Sequence, residues 1–442
     1  MPRALIAARP IAYLIASFAI IGCSGSAHVA AQADTGPNPT LPAPSRSLIP
    51  TVKVAKAVGW AAGTTPTPAA GFAVNAFATG LEHPRWLYVL PNGDVLVAET
   101  NRPPTPDPPA NPVRGWFMKA AFKKAGAATP SPNRITLLRD ADGDGVAETR
   151  SVFMQNLMSP FGMALVGDTF YVANADAVVR VPYRSGDTRI DAAPTKLADL
   201  PGAPRNHHWT KSLLASRDGA KLYVGVGSNS NIGENGLDIE AGRAAIHEID
   251  INTGQGRVYA SGLRNPVGLA WQPRGGALWA VANERDELGD ELVPDYLTSV
   301  REGAFYGWPY SYYGAHVDER VKPQNPALVA KAIAPDYALG AHVAALGLAF
   351  YDGKLLPPRY ADGAFIGLHG SWNRKPPSGY KLAFVPFANG QPAGPMQDVL
   401  TGFLDERGQA RGRPVGVAVD GQGAVLVADD VGNVVWRVTP AR

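Results

Sequence analysis

Gly262-Leu263-Arg264-Asn265-Pro266-Val267-Gly268-Leu269-Ala270-Trp271 passes through a Gly/Pro turn into Ala277-Leu278-Trp279-Ala280-Val281. The stretch has four parts: a polar opening, an apolar strand, a turn and a second apolar strand. Short apolar runs bounded by turn residues read as buried β-strands. Arg205-Asn206-His207-His208-Trp209-Thr210-Lys211 opens a similar unit upstream, with histidines in place of the arginine and asparagine. Histidine can exchange a proton near neutral pH, and an arginine beside an asparagine can hold an anionic or carbonyl-rich ligand.

The same unit recurs six times. It is found at Pro84 to Val89 with Gly93 to Ala98, Pro160 to Leu165 with Thr169 to Ala173, and Trp209 to Ala215 with Lys221 to Gly225. It continues at Pro266 to Trp271 with Ala277 to Val281, Leu346 to Phe350 with Gly363 to Gly367, and Pro414 to Val419 with Ala424 to Ala428. Third and fourth strands fit between them, as at Val178 to Val181 and Val434 to Val438. One such sheet cannot bury both its faces alone, so the units must pack around an axis. The expected fold is all-β, a six-bladed β-propeller of four-stranded antiparallel sheets over 71–442. A solenoid or a pair of sandwiches is the competing architecture. Unlike polar openings on like blades would build one central site.

Composition agrees. Hydrophobic residues make up 45% of the 442 and charged residues 18%, which excludes a disordered chain. The 48 glycines and 40 prolines supply the turns that an all-β chain needs. Lys+Arg minus Asp+Glu is 41 − 38 = +3, and no basic run exceeds two residues, so nucleic acid is not an expected partner.

Residues 1–22 read as a secretory signal peptide, with Arg3 and Arg9 ahead of an apolar stretch from Ile11 to Ile21. Ile20-Ile21-Gly22-Cys23 follows the pattern of a bacterial lipobox, in which the cysteine is lipidated. Cleavage after Ala31 is the alternative; Cys23 is the only cysteine, which favours the lipobox. The expected location is periplasmic, with a lipid anchor at Cys23. Residues 23–70 are rich in Ala, Pro, Thr and Ser and read as a flexible tether. Two insertions break the period. Residues 101–133 contain an amphipathic helix candidate from Trp116 to Lys124. Residues 284–342 contain the aromatic run Gly303 to Tyr310, which suits either a sugar-stacking platform or loop packing.

Gly262 to Ala270, Asn283 to Glu291 and Gly303 to Pro309 together resemble the soluble quinoprotein sugar dehydrogenases, the glucose/sorbosone dehydrogenase group. Gly370-Ser371-Trp372-Asn373-Arg374 and Arg411-Gly412-Arg413-Pro414 resemble its sorbosone dehydrogenase-like branch. The resemblance covers about 72–440. It implies pyrroloquinoline quinone (PQQ) and calcium as cofactors, and oxidation of an aldose, pyranose or keto-aldose sugar by hydride transfer to the quinone. A periplasmic cytochrome or quinone would accept the electrons. It implies His208 as catalytic base, with Arg264 and Asn265 at the quinone side of the cofactor. Arg411, Arg413 and Arg374 would face its carboxylates. Backbone carbonyls near Arg285 and Asp286 would hold the catalytic calcium, although relatives carry Gly and Pro there. A glutamine that contacts the cofactor in some relatives is absent; that stretch reads Leu157-Met158-Ser159-Pro160. Separately, Asp140, Asp142 and Asp144 alternate as in the opening of a calcium loop. Two other functions fit a propeller: a calcium-dependent hydrolase of lactonase type, centred on side-chain carboxylates, and a non-catalytic glycan- or protein-binding module.

Overall fold

The computed structural model describes residues 33–45, 51–104 and 120–441. The signal peptide, Cys23 and the first four residues of the amphipathic helix candidate lie outside these residues; 120–124 is helical.

Six antiparallel sheets stand in a ring, a six-bladed β-propeller. Blade one is Pro84–Val89, Val95–Glu99, Arg134–Arg139 and Thr149–Met154. Blade two is Gly162–Val166, Thr169–Ala173, Ala177–Pro182 and Thr195–Asp199. Blade three is Lys211–Ala215, Lys221–Val226, Ala245–Asp250 and Gly256–Ser261. Blade four is Asn265–Trp271, Leu278–Asn283, Pro294–Val300 and Tyr337–Ala341. Blade five is Ala345–Phe350, Gly363–Leu368, Lys381–Ala388 and Gln397–Thr401. Blade six combines Pro414–Val419, Val425–Asp429 and Val434–Pro440 with Phe72–Ala78 from the start of the ring. The two ends of the propeller therefore close it by backbone hydrogen bonds.

The second strand of each blade is packed between neighbouring sheets, so it is apolar on both faces. Leu96, Val97, Val172, Val224, Val281, Ile366 and Val427 are fully buried. Each such side chain contributes about 1.5–3 kcal/mol by leaving water. The fourth strands of blades two and three, at the rim, carry mostly exposed residues. Inner strands approach so closely that side chains are excluded at their contacts. A Cβ on Gly347 would lie 2.2 Å from the Val415 carbonyl, and one on Gly162 would lie 2.2 Å from the Leu213 amide nitrogen.

The inner strand begins with a register shift in blades one, four, five and six, near Pro84, Pro266, Ala345 and Pro414. Proline cannot donate to the ladder, and a bulge bends the strand and re-aims its first side chain. His83, Asn265 and Arg413 each precede the proline at such a shift.

Residues 33–45 and 51–70 depart from the tether expectation. Thr35–Gly36 extends the sheet of blade four, and Thr67–Pro68 extends that of blade five. Val54 and Ala55 are buried. The Trp60 ring stands edge-on to Phe403 and Trp436 at 5.5 and 5.4 Å, and its Nε1 donates to Asp429 at 2.7 Å. The segment is a strap along the propeller. Its alanines and prolines suit an extended path, and Trp60 pins it.

Candidate functional site

The openings of blades one, three and six meet at a cavity of about 190 Å³. His83 and Arg85 enter from blade one, His207 and Trp209 from blade three, and Arg413 and Asp430 from blade six, with His369 from blade five. Arg102 and Phe122 of the first insertion complete the wall, the guanidinium 4.9 Å from the ring centroid. The centre of this group is Asp430. It accepts from Arg85, and its Oδ2 lies 2.9 Å from His369 Nε2. Burial would raise its pKa, but His369 and Arg85 hold it far below the usual carboxylate range. Asp430 therefore fixes the His369 tautomer by accepting its Nε2–H, which leaves Nδ1 as an acceptor. Burial outweighs Asp430 and keeps His369 neutral. Burial also lowers His83 to about 4, partly opposed by Asp430. His83 Nδ1, Arg85 Nε, Arg413 Nε and Asp430 Oδ1 have no hydrogen-bond partner among the described residues. Unsatisfied buried donors around a cavity mark a place built for a polar ligand.

His208 sits behind this cavity, its ring 4.6 Å from that of His207. Its Nδ1 is 2.9 Å from the Ser228 carbonyl, which assigns the proton to Nδ1 and the lone pair to Nε2. Burial, then His207, Arg264 and Arg243, hold its pKa well below the ordinary value, so the ring is neutral. Gly227 brings His208 and Asn265 together. A Cβ there would lie 2.2 Å from Asn265 Oδ1 and 2.5 Å from His208 Cβ. Ser228 N donates to the Arg264 carbonyl, which ties the same strand end to blade four.

Arg264 is buried and tightly held. It donates to the carbonyls of Asn231 and Glu284 at 3.2 and 2.7 Å, and lies 3.4 Å from Asp286 Oδ2. Asp286 Oδ1 accepts from Asn373 Nδ2 at 2.7 Å and lies 3.5 Å from His342 Nδ1. Burial works against ionisation of Asp286, yet His342, Arg264 and Asn373 bring it down to about 2. Burial pushes Glu284 up to about 7 and Asp295 up to about 6. Asn265 Oδ1, Glu284 Oε1 and Asn373 Oδ1 are buried oxygens without a hydrogen-bond partner among the described residues. Asp286, and the Asn373 amide that contacts it, carry oxygens of the hard type that a divalent cation takes.

The other sequence-predicted residues are distributed differently. Arg413 lines the cavity, 5.3 Å from the Tyr380 ring, whereas Arg411 is half-buried and outside the lining. Arg374 Nε donates to the Asp290 carbonyl at 2.8 Å, also away from the lining. The Arg285 side chain is fully buried and paired with Asp318 at 3.1 Å. The Asp286 carbonyl accepts from Asn231 Nδ2 at 3.2 Å, so of the two carbonyls expected to hold calcium this one already has a donor. Asp140, Asp142, Asp144 and Glu148 do gather, with ligand oxygens within 4.8 Å of one another. They occupy the turn after Arg139, at the end of blade one opposite His83, so a cation there cannot reach the cavity. The aromatic run is packing: Tyr306 and Trp308 are buried, and Trp308 Nε1 donates to the Asn231 carbonyl that also receives Arg264.

Arg85, His83 and Asp430 were not singled out from sequence. The signal existed, since His83-Pro84 repeats the polar-residue-then-proline opening of Asn265-Pro266 and Arg413-Pro414.

The chain spans about two fifths of a curated relative, the pyrroloquinoline quinone-dependent pyranose dehydrogenase of Coprinopsis cinerea. The two are 27% identical over 296 residues, covering 52% of this chain and 39% of that protein. The holo PQQ domain of the C. cinerea pyranose dehydrogenase superposes with a TM-score of 0.67 at 22% identity, covering 87% of this chain and 100% of that one. The calcium structure of a Trichoderma reesei carbohydrate-active enzyme of family AA12 superposes with a TM-score of 0.69 at 20% identity, covering 88% and 99%. The sequence profile described as TrAA12-like matches residues 133–302 and 316–441, more than half of the chain, with four of its six blades in full and parts of the other two. The chain belongs to the TrAA12-like family.

Proposed function

We propose that this protein is a PQQ- and calcium-dependent sugar dehydrogenase that oxidises an aldose, a pyranose or a keto-aldose of the sorbosone type. The observation that carries the reading is the axial cavity. Three arginines, Arg85, Arg102 and Arg413, meet there beside unsatisfied buried nitrogens, and only one carboxylate, already paired, lines it. That chemistry fits a planar ligand with several carboxylates. A hydrolase would need carboxylates around an axial metal. Among the described residues the one group of three or more such side chains lies at the far end of blade one. The names of the curated relative and of the superposed structures support the same reading.

Arg85, Arg102 and Arg413 would hold the cofactor, and the oxygens around Asp286, with the Arg285 carbonyl, would hold calcium. Bound PQQ supplies a two-electron acceptor for hydride. His208 supplies the base: with its Nδ1–H given to Ser228, Nε2 is free to take the proton of the sugar hydroxyl. Its low pKa keeps it unprotonated at neutral pH, as a base must be. Arg264, fixed by Asn231 and Glu284, stabilises negative charge developing on the sugar oxygen. His369 offers a second neutral imidazole, oriented by Asp430. The same proposal places the enzyme in the periplasm, anchored through Cys23; a mature protein that begins at Gln32 and carries no lipid contradicts that part.

The test is dye-linked oxidation of a panel of aldoses and keto-aldoses by the purified chain, with and without added PQQ and calcium. Turnover that requires both additions supports the proposal. Absence of turnover on every sugar with both present overturns it.

A further inference from the structure

The cavity wall has an outer side. Two segments make this wall. Residues 51–60 place the Ala55 carbonyl 3.3 Å from Arg413 NH2, and residues 120–127 contribute Phe122, Ala125 and Ala127 to the lining. The segments are joined by Ala57 N donating to the Lys124 carbonyl at 2.9 Å. Lys53, Lys56, Lys123 and Lys124 are all exposed on them, and neither segment contains an Asp or Glu. No carboxylate among the described residues pairs with these four lysines. Lys53 N donates to the Trp372 carbonyl at 2.8 Å, so an exposed tryptophan lies against the lysine-bearing strap, beside the exposed Val52. Lys375 extends the cationic rim on the Trp372 loop; Asp290 is the acid on that side, its Oδ2 accepting from the Lys375 amide.

We propose that this face docks an acidic, soluble redox protein that accepts one electron at a time. The inference rests on the sugar dehydrogenase reading. An exposed tryptophan beside an exposed valine, with a mainly cationic rim, has the anatomy of a protein interface. The four lysines steer an acidic partner toward it. Residues of one segment line the cavity and the other contacts Arg413 of its lining, so a partner seated on them is close to the cavity. The electron balance fits: oxidising one sugar hydroxyl to a carbonyl releases two electrons and two protons. The electrons leave singly, one to each of two acceptor molecules, and the protons go to solvent.

The experiment has two arms, using an acidic bacterial c-type cytochrome as probe. In the first, binding of the oxidised cytochrome to the cofactor-free protein is titrated at low and high salt. In the second, sugar-dependent reduction of the cytochrome is compared with reduction of 1,4-benzoquinone, a small neutral acceptor. The variant carries Lys53→Glu, Lys56→Glu, Lys123→Glu and Lys124→Glu, and a companion carries the four Lys→Gln changes in case charge reversal impairs folding. Charge reversal is expected to weaken binding and slow cytochrome reduction about tenfold or more at low salt, with benzoquinone reduction within about twofold of wild type. Trp372→Ala is expected to weaken binding at all salt concentrations. Wild-type binding in the absence of any sugar oxidation would leave the docking face standing and refute the dehydrogenase reading. Unchanged binding and cytochrome reduction in both lysine variants overturn the proposal. So does lysine-dependent sedimentation with phosphatidylglycerol vesicles without cytochrome binding, which would assign the face to a membrane.

Discussion

Arg413→Ala is expected to weaken PQQ binding by about 1.5–3 kcal/mol, the range for hydrogen bonds to a charged group, or roughly 10- to 150-fold in Kd. The structure sets that range. Arg413 is 5% exposed, and among the described residues its Nε has no partner and its side chain makes one hydrogen bond, a long one to Ala55. A guanidinium so buried keeps most of its attraction for a carboxylate, whereas an exposed ion pair contributes only about 0–1 kcal/mol. Arg411 is half-exposed and off the lining, so Arg411→Ala should fall in that lower range, about 1 kcal/mol or less. The paired substitutions therefore separate two explanations that spacing alone does not. Calorimetric titration of each cofactor-free variant with PQQ in excess calcium measures the effect, and thermal melting without cofactor checks the fold. An Arg413→Ala Kd within about threefold of wild type, with an intact fold, refutes the assignment of the cavity. A larger effect from Arg411 than from Arg413 refutes it too.

Two further outcomes follow from buried histidines. His208→Gln should leave PQQ affinity unchanged and cut kcat by about a hundredfold or more, since a general base is lost and no cofactor contact is; turnover within a few-fold of wild type would pass the role of base to His369, testable by His369→Gln. His83 has a folded pKa of about 4 against an ordinary 6.5, with burial the main cause. Between these values the unfolded chain binds a proton that the folded chain refuses. Its share of stability is therefore present above 6.5 and is lost as pH falls toward 4. Moving from about pH 7 to about pH 5 should cost on the order of 2 kcal/mol through this group, and His83→Gln should remove that part of the slope in denaturant titrations. An unchanged slope would show that His83 is not held neutral.

Much of the fold was legible because it depends on local pattern. Pro84–Val89 and Pro414–Val419 begin and end where their apolar runs do. A strand packed on both faces must be apolar throughout, and its ends must be turns. Six such units allow few arrangements other than a ring. The joining of Phe72–Ala78 to the last blade was not legible in this way, because it pairs residues more than 350 positions apart. The strap was misread for a related reason. Ala- and Pro-rich composition describes an extended path equally well in solution or on a protein surface. Only Trp60, a large apolar side chain in a supposed tether, pointed to the surface.

At the candidate site, the openings that carry His208, Arg264 and Asn265 were legible from the repeated strand pattern and Arg413 from the resemblance; the ladders shift register at Pro266 and Pro414 beside three of them. Asp430 was hidden because Asp429-Asp430 after an apolar strand reads as a turn. Its role appears only when Arg85 and His369, distant in sequence, close on it. Gly303 to Tyr310 left packing and ligand stacking open, because both need the same rings. The burial of Tyr306 and Trp308 settles them as packing.

The most direct test of the central claim is an anaerobic titration of the PQQ- and calcium-loaded protein with sugar, followed by the absorption of the bound cofactor. One cofactor should remain with each chain through gel filtration, and a reactive aldose or keto-aldose should reduce it one for one without added acceptor. If cofactor separates from the protein on the column, or remains bound and unchanged with every sugar, the cavity is not the site of sugar oxidation.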